Sequence, residues 1–552
     1  MYISAGSGVG AKPFGKSADT VSAVGRFLLA VSVALVAAAP AAGRGLPARQ
    51  QQVGAGPTTL VGISPGSGFM AAPALRRAGG NELAPSIGLW RLRTESARRA
   101  LPALRRAGLV RLVQPERVLR RAAVKVTPDP LSGAQWWRAD VGADTSEPPG
   151  PGVPVTIVDT GLDLSHPEFV GRPDTVALNT QRVTDSEDDF HGTAVASVAA
   201  APANGVGIVG IYPQATLHVY DADLSGRLTD GELIRAIDAA AAAGPGVINL
   251  SLGGTQFDPA LQDVIYSAFR RGSLIVAASG NSREEGNPIN FPANMSHVLT
   301  VAATDVSDHA AVFSSSSVGV DLSAPGVDIP AAVPTLYATS GFAAVDGTSF
   351  SAPIVAGAAA WVWTVRRDLD NTQIFDIMRW SARDVGRAGF DVDTGFGILD
   401  VPSAIARTAP ERDPQEPNDD VALVKPGALF SNGSRPLTGP GAGRASLHAR
   451  VDVTEDPEDV YRVWVPARKT VTVTIRGDAN VDLEMWGPAT RTIGENGAAR
   501  KRDLAGSSQQ KGTAADAVAI HNKASHGSYY YADVFLGRGA GEAGYSLGIT
   551  TR

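Results

Sequence analysis

"VPVTIVDTGLDLSHPEF", residues 153–169, decides how this chain is read. Val155, Thr156, Ile157 and Val158 are apolar or β-branched on both faces of an extended run, and the run stops on Asp159. A strand with no polar face is one covered on both sides, as in a parallel sheet wrapped by helices. Four further runs have the same character: "TLHVYDA" (216–222), "GVINLSL" (246–252), "SLIVAAS" (273–279) and "HVLTVAA" (297–303). Between several of them lie helical patterns, "TAVASVAAA" (193–201), "DGELIRAIDAAAAA" (230–243) and "PALQDVIYSAFRRG" (259–272). The alternation predicts an α/β domain with a mostly parallel sheet flanked by helices. Open sheets of this kind present their chemistry at the C-terminal ends of strands, which is where Asp159 stands. Alone, an aspartate there is more often only a turn former.

Two other positions are set up in a comparable way. "DGTSFSAPIVAG" (346–357) crowds small residues around Ser349 and then turns apolar through Val365. Gly347 permits a tight backbone approach, and Pro353 suits the first turn of a helix. A serine is a weak nucleophile until a base takes its proton and a third group orients that base. Of the eight histidines (166, 191, 218, 297, 309, 448, 521 and 526), His166 sits in a Ser-His-Pro turn and His218 inside a strand pattern. His191, followed by Gly192 and Thr193, opens a small-residue helix.

The order Asp, His, Ser within one α/β domain is one of the known orders of the catalytic triad. With "VDTGLDLSHPEF", "HGTAVAS" and "GTSFSAP" in sequence, residues from about 135 to 408 resemble the subtilisin-like serine proteases. "VINLSLGG" is similar to that family's substrate-binding strand, and "AASGNS" to its oxyanion-hole segment. The resemblance implies Ser349 as nucleophile, His191 as base and Asp159 as the group that orients it. It implies Asn281 as oxyanion donor, and Ser251, Leu252, Gly253, Gly254, Ser279, Gly280 and Asn290 as lining of the main specificity pocket. Glu168 and Asn204 fall where relatives supply oxygen ligands to a structural Ca2+, and no cofactor is implied for the chemistry. Three positions depart from the common pattern: Phe190 before the histidine, which would narrow access, Ala194 after it, and Ile354 in the serine helix.

The remaining chain reads as accessories. The protein has 552 residues, net charge −6 and no cysteine, so disulfides and thiolate metal sites are excluded and nucleic acid is a poor overall partner. Arg26 and the apolar run from Phe27 to Ala42, with "APA" at 39–41, read as a signal peptide over residues 1–42 and predict a secreted, extracellular protein without a further membrane anchor. Residues 50–127 alternate strand and helix patterns and carry many arginines, among them 117, 120 and 121. By position they resemble the family's inhibitory propeptide, an intramolecular partner expected to dock on the acidic "DSEDDF" (185–190) and "DADLSG" (221–226). "GISPG" (62–66) matches an esterase nucleophile elbow formally, but too few strands precede Ser64 for that fold. After a Pro-rich acidic linker at 409–420, the period switches to two in "DVYRVWVP", "TVTVTIRG", "VDLEMWG", "YYYADVFLG" and "YSLGIT". This predicts a β-sandwich over 421–552, similar to the bacterial pre-peptidase C-terminal domain, with no residue there suggesting chemistry.

The expectation is therefore a self-processing serine endopeptidase acting on polypeptides. Its rival is a catalytically silent scaffold of the same fold used for binding or adhesion, which would not need Asp159, His191, Ser349 and Asn281 together.

Overall fold

The structure, a computed structural model, describes residues 12–13, 58–64, 66–116, 129–181, 190–223 and 227–552. The apolar run 27–42, most of "DSEDDF", the end of "DADLSG" and arginines 117, 120 and 121 lie outside the described residues. The chain divides into two units, one spanning 18–125 and the other holding residues 1–17 and 126–552.

In the first unit, strands Asn81–Ala84, Leu89–Arg93, Thr58–Ile63 and Val110–Pro115 form an antiparallel sheet in that order. Helices Gly68–Arg77 and Thr94–Arg106 complete a small core of Val61, Leu75, Trp90, Leu92 and Leu101. Ala97, Leu101 and Leu104 recur at helical spacing on the buried side of the second helix, which leaves Arg98, Arg99, Arg105 and Arg106 exposed.

The larger unit is built on a parallel sheet of seven strands. Their order is Leu322–Pro325, Val298–Thr304, Leu274–Ala278, Val247–Leu250, Val155–Asp159, Leu217–Asp221 and Thr175–Ala177. Every residue of the four strands from Val298–Thr304 through Val155–Asp159 is buried, as their unbroken apolar runs require. From Val155–Asp159 the chain builds one flank of the sheet, then crosses to the other at Val247–Leu250. Asp159 thus ends the strand at which the winding direction reverses, where such sheets open a crevice.

Helices His191–Ala200 and Thr348–Val365 pack on each other on one face, and Asp230–Ala242 with Pro259–Arg270 pack together beside the sheet. Gly357 makes the first contact possible, because a Cβ there would lie 2.3 Å from Ile211 and 3.0 Å from the Ala199 carbonyl. Thr348–Val365 is apolar and long enough to cross a membrane, but it is buried inside the domain as its central helix.

A short helix, Val401–Ala406, precedes the Pro-rich stretch. Two four-stranded antiparallel sheets follow and share one apolar core containing Val463, Val473, Leu483, Val534 and Leu547. One sheet holds Arg444–Asp452, Glu542–Thr551, Thr470–Gly477 and Asp516–His521. The other holds Glu458–Val465, Ser528–Leu536, Val481–Trp486 and Leu504–Ser508. The sandwich meets the α/β domain through polar contacts, including Arg379 to Asp452 at 2.6 Å and His297 to Glu455 at 3.0 Å.

Candidate active site

Asp159 is buried at the end of its strand, and its Oδ1 accepts from the Thr160 backbone N–H and from His191 Nδ1, both at 2.8 Å. His191 is brought there by the glycine that follows it. A Cβ on Gly192 would lie 2.1 Å from the Gly161 carbonyl, so no larger residue lets this helix end approach the Asp159 loop so closely. The Gly192 N–H donates to Thr160 Oγ1 at 2.9 Å and fixes the approach. With the Nδ1 proton held by Asp159, His191 presents Nε2 as the unprotonated nitrogen. Burial disfavours charge on the ring, but the Asp159 carboxylate, by its charge and its hydrogen bond, outweighs this and holds the His191 pKa above the ordinary imidazole value.

Ser349 is the second residue of helix Thr348–Val365, where the helix dipole favours developing negative charge. Its hydroxyl donates to the Ser251 carbonyl at 3.3 Å rather than to His191, whose ring packs near Phe350. Ser251 Oγ in turn donates to the Ser349 carbonyl at 2.8 Å and accepts from Asn249 Nδ2 at 2.9 Å. Catalytic hydrogen bonds are commonly loose without substrate and tighten in the Michaelis complex.

Asn281 is exposed, and its side chain is oriented through its oxygen. Oδ1 accepts from the Thr348 backbone N–H at 3.0 Å and from Thr348 Oγ1 at 2.8 Å, while Thr348 Oγ1 accepts from the Gly280 N–H at 3.2 Å. Both carbonyl-side bonds are therefore used on Thr348, and the NH2 group is left to face outward near Gly347. The positioning role of Thr348 was not visible in the sequence, because it depends on two loops 67 residues apart.

Of the predicted pocket residues, Ser251 touches Ser349 directly. Residues 251–254 leave the end of strand Val247–Leu250, and Gly254 exchanges backbone hydrogen bonds with Phe291 at 2.8 and 2.7 Å. Ser279 is buried at the end of the neighbouring strand. The Asn290 amide lies against Gly280, 2.3 Å from where a Cβ would sit, and donates to the Pro288 carbonyl at 3.1 Å and to Ser315 Oγ at 3.3 Å. Phe190 is buried with its ring 5.3 Å from that of Tyr337, and Ala194 and Ile354 are core residues.

Glu168 and Asn204 also meet, away from the serine. Glu168 is fully buried; its Oε2 accepts from the Ile208 N–H at 3.1 Å and its Oε1 has no partner. Burial pushes its pKa up to about 8. Asn204 Nδ2 donates to the Glu168 carbonyl at 3.1 Å, and Asp129, which the sequence did not single out, accepts the N–H groups of residues 204, 205 and 206. His166 is a structural residue here, accepting the Glu168 N–H on Nδ1 at 3.1 Å.

A serine at a helix N-terminus, a carboxylate-bound imidazole and an outward-facing amide are the groups a serine hydrolase needs. Residues 150–397 match the Subtilase family. Subtilisin BL of Lederbergia lenta is 34% identical over 258 residues, covering 46% of this chain and 91% of that protein. A probable subtilase-type serine protease of Deinococcus radiodurans is 34% identical over 291 residues, covering 45% of this chain and 39% of that one. Among solved structures, the psychrophilic subtilisin-like protease Apa1 of Pseudoalteromonas sp. AS-11 superposes with a TM-score of 0.44 at 19% identity, over 50% of this chain and 99% of that one. The chain belongs to the subtilase family, whose members are serine-type endopeptidases.

Proposed function

We propose that this chain is a secreted endopeptidase whose triad is Asp159, His191 and Ser349. Ser349 Oγ attacks the scissile carbonyl carbon while His191 Nε2 takes its proton, and Asp159 stabilises the imidazolium that forms. The oxyanion of the tetrahedral intermediate accepts from Asn281 Nδ2 and from the Ser349 N–H. His191 returns the proton to the leaving amine, and water then hydrolyses the acyl-Ser349 ester by the same path in reverse roles. The observation that carries this reading is the clamp of Asn281 Oδ1 by Thr348, which pre-orients a donor beside the serine. An inert scaffold has no use for that orientation.

Residues 251–254, 279–280 and 290 would receive the substrate side chain, with Leu252 as an apolar wall and Asn290 as a polar group. Glu168, with Asn204 and Asp129 from segments folded against it, would hold a structural Ca2+: a buried carboxylate oxygen without a partner suits a hard cation. Residues 1–42 would direct export, 50–127 would inhibit in cis until cleaved between about Arg121 and Gly133, and 421–552 would serve binding or secretion.

The test is Ser349→Ala, assayed on a peptide anilide. Loss of about 10⁴-fold or more in kcat/KM is expected, since triad members act as a unit. The same variant made as precursor should stay full length while wild type matures. A loss below tenfold would remove the assignment.

A further inference from the structure

In the smaller unit, three turns meet at the end of the sheet where strand Thr58–Ile63 stops. The Ile63 N–H donates to the Gly88 carbonyl at 2.9 Å, the Ser64 N–H to the Leu109 carbonyl at 3.0 Å, and the Ser67 N–H to the Ser64 carbonyl at 3.0 Å. Helix Gly68–Arg77 therefore starts at this end, helix Thr94–Arg106 finishes at it, and the turn through Gly88 closes it. Large apolar side chains project from two of these turns. Phe69 is 94%, Met70 63% and Ile87 56% exposed. The core of the unit is complete without them, since Val61, Leu75, Trp90, Leu92 and Leu101 fill it. Apolar groups placed this far into solvent mark a contact surface.

The charge at this end has one sign. Arg105 and Arg106 are exposed in the last turn of helix Thr94–Arg106. Arg111 is exposed as well, and its guanidinium donates to the Ile87 carbonyl at 3.4 Å, directly beside the apolar tip. Among the described residues the ion pairs of this unit are Arg76 with Glu82 and Arg91 with Glu116, so these three guanidiniums have no carboxylate of their own. The acidic residues stand elsewhere. Glu95 lies in the first turn of helix Thr94–Arg106, and Glu116 accepts from Thr58 at the opposite end of the sheet.

The shape and the charge together select the partner. Phe69, Met70 and Ile87 protrude from turns, and a folded protein could cover them only with a hollow cut to match. A bilayer yields to any convex apolar shape, and arginine stems lie along its acyl boundary while their guanidiniums reach the headgroups. Unpaired cations around the tip gain most from lipid that carries net negative charge. We infer that this end of the unit docks on an anionic lipid surface, with Phe69, Met70 and Ile87 entering the interface and Arg105, Arg106 and Arg111 meeting lipid phosphates. The strand that leads out of the unit runs the other way and ends at Pro115 opposite Thr59, so docking leaves the onward chain clear of the lipid. The inference depends neither on proteolytic activity nor on the inhibitory reading of residues 50–127.

The experiment uses Ser349→Ala protein comprising residues 43–552, so that the apolar run 27–42 does not itself bind lipid and self-digestion cannot release the unit. This form keeps every described residue from Thr58 on. Co-sedimentation is measured with vesicles of phosphatidylcholine alone and of phosphatidylcholine mixed with phosphatidylglycerol. Binding to the mixed vesicles should be tighter by about tenfold or more, and Arg105→Gln/Arg106→Gln should weaken it by roughly fivefold per arginine. Phe69→Ser/Met70→Ser should weaken it by about tenfold or more, because two apolar side chains no longer enter the interface. Both positions are exposed, so the melting temperature of that variant should equal the parent's. The comparison of the two vesicle types in the parent stands even if a variant fails to fold. No binding to the mixed vesicles, equal binding to both types, or undiminished binding of a folded Phe69→Ser/Met70→Ser protein would overturn the inference.

Discussion

Gly347→Ala probes the proposed oxyanion donor, Asn281, without touching a reacting group. Gly347 has φ 151° and ψ 151°, a region open essentially to glycine, so alanine there costs about 1–3 kcal/mol of strain. Its Cβ would lie 3.3 Å from Asn281 Nδ2 and 3.6 Å from the Phe350 ring. The ring is fixed in the core, so the amide must yield by a few tenths of an ångström, out of the position that Thr348 gives it. Loss of one such donor altogether costs about 10²–10³-fold in kcat, a magnitude established for the equivalent asparagine of subtilisin and transferred here. A displaced donor should cost part of that, about 10- to 100-fold in kcat with KM changed by less than about threefold. The strain should separately lower the melting temperature by about 2–12 °C, at roughly 2–4 °C per kcal/mol for a domain of this class. Steady-state kinetics on a peptide anilide and thermal unfolding of the same preparation read the two effects. Wild-type kcat in a protein that shows the expected loss of stability would refute the reasoning.

Asn281→Ala should reach the full 10²–10³-fold loss in kcat with KM little changed; a KM effect with intact kcat would make Asn281 a substrate-positioning group instead. The pH dependence follows from His191, which acts as base only when neutral. Because Asp159 holds its pKa above the ordinary value, kcat/KM should rise with pH through a midpoint above about 6.5. Asp159→Asn removes the group that raises the pKa, so the midpoint should move down while the rate falls about 10⁴-fold. A pH optimum near 4 would contradict a histidine base.

The parts of this fold that sequence reveals are those whose burial is complete. Val155–Asp159, Val247–Leu250, Leu274–Ala278 and Val298–Thr304 announce themselves because both faces are covered and no polar alternation interrupts them. Thr175–Ala177 and Leu322–Pro325 carry no such signal: one is three residues long at the sheet edge, and the other ends on proline. The sandwich strands Arg444–Asp452, Leu504–Ser508 and Asp516–His521 were passed over because Arg, Ser and Asp dilute their alternation. At the site, residue types and order named the candidates, but Thr348 and Asp129 act through loops joined only in the folded chain. Asp413, Glu416, Asp456 and Asp459, whose oxygens the folded chain brings within 4.8 Å of one another, were missed for the reason most general to sequence reading. Acidic residues among prolines look like solvated linker until folding buries them.

The most direct test of Ser349 as the activated nucleophile is covalent labelling by a fluorophosphonate, followed by peptide mapping. Wild type should carry one adduct, on the peptide containing Ser349, and His191→Ala and Ser349→Ala should carry none. An adduct on another serine, such as Ser64, or equal labelling of the His191→Ala protein, would contradict a triad built from Asp159, His191 and Ser349.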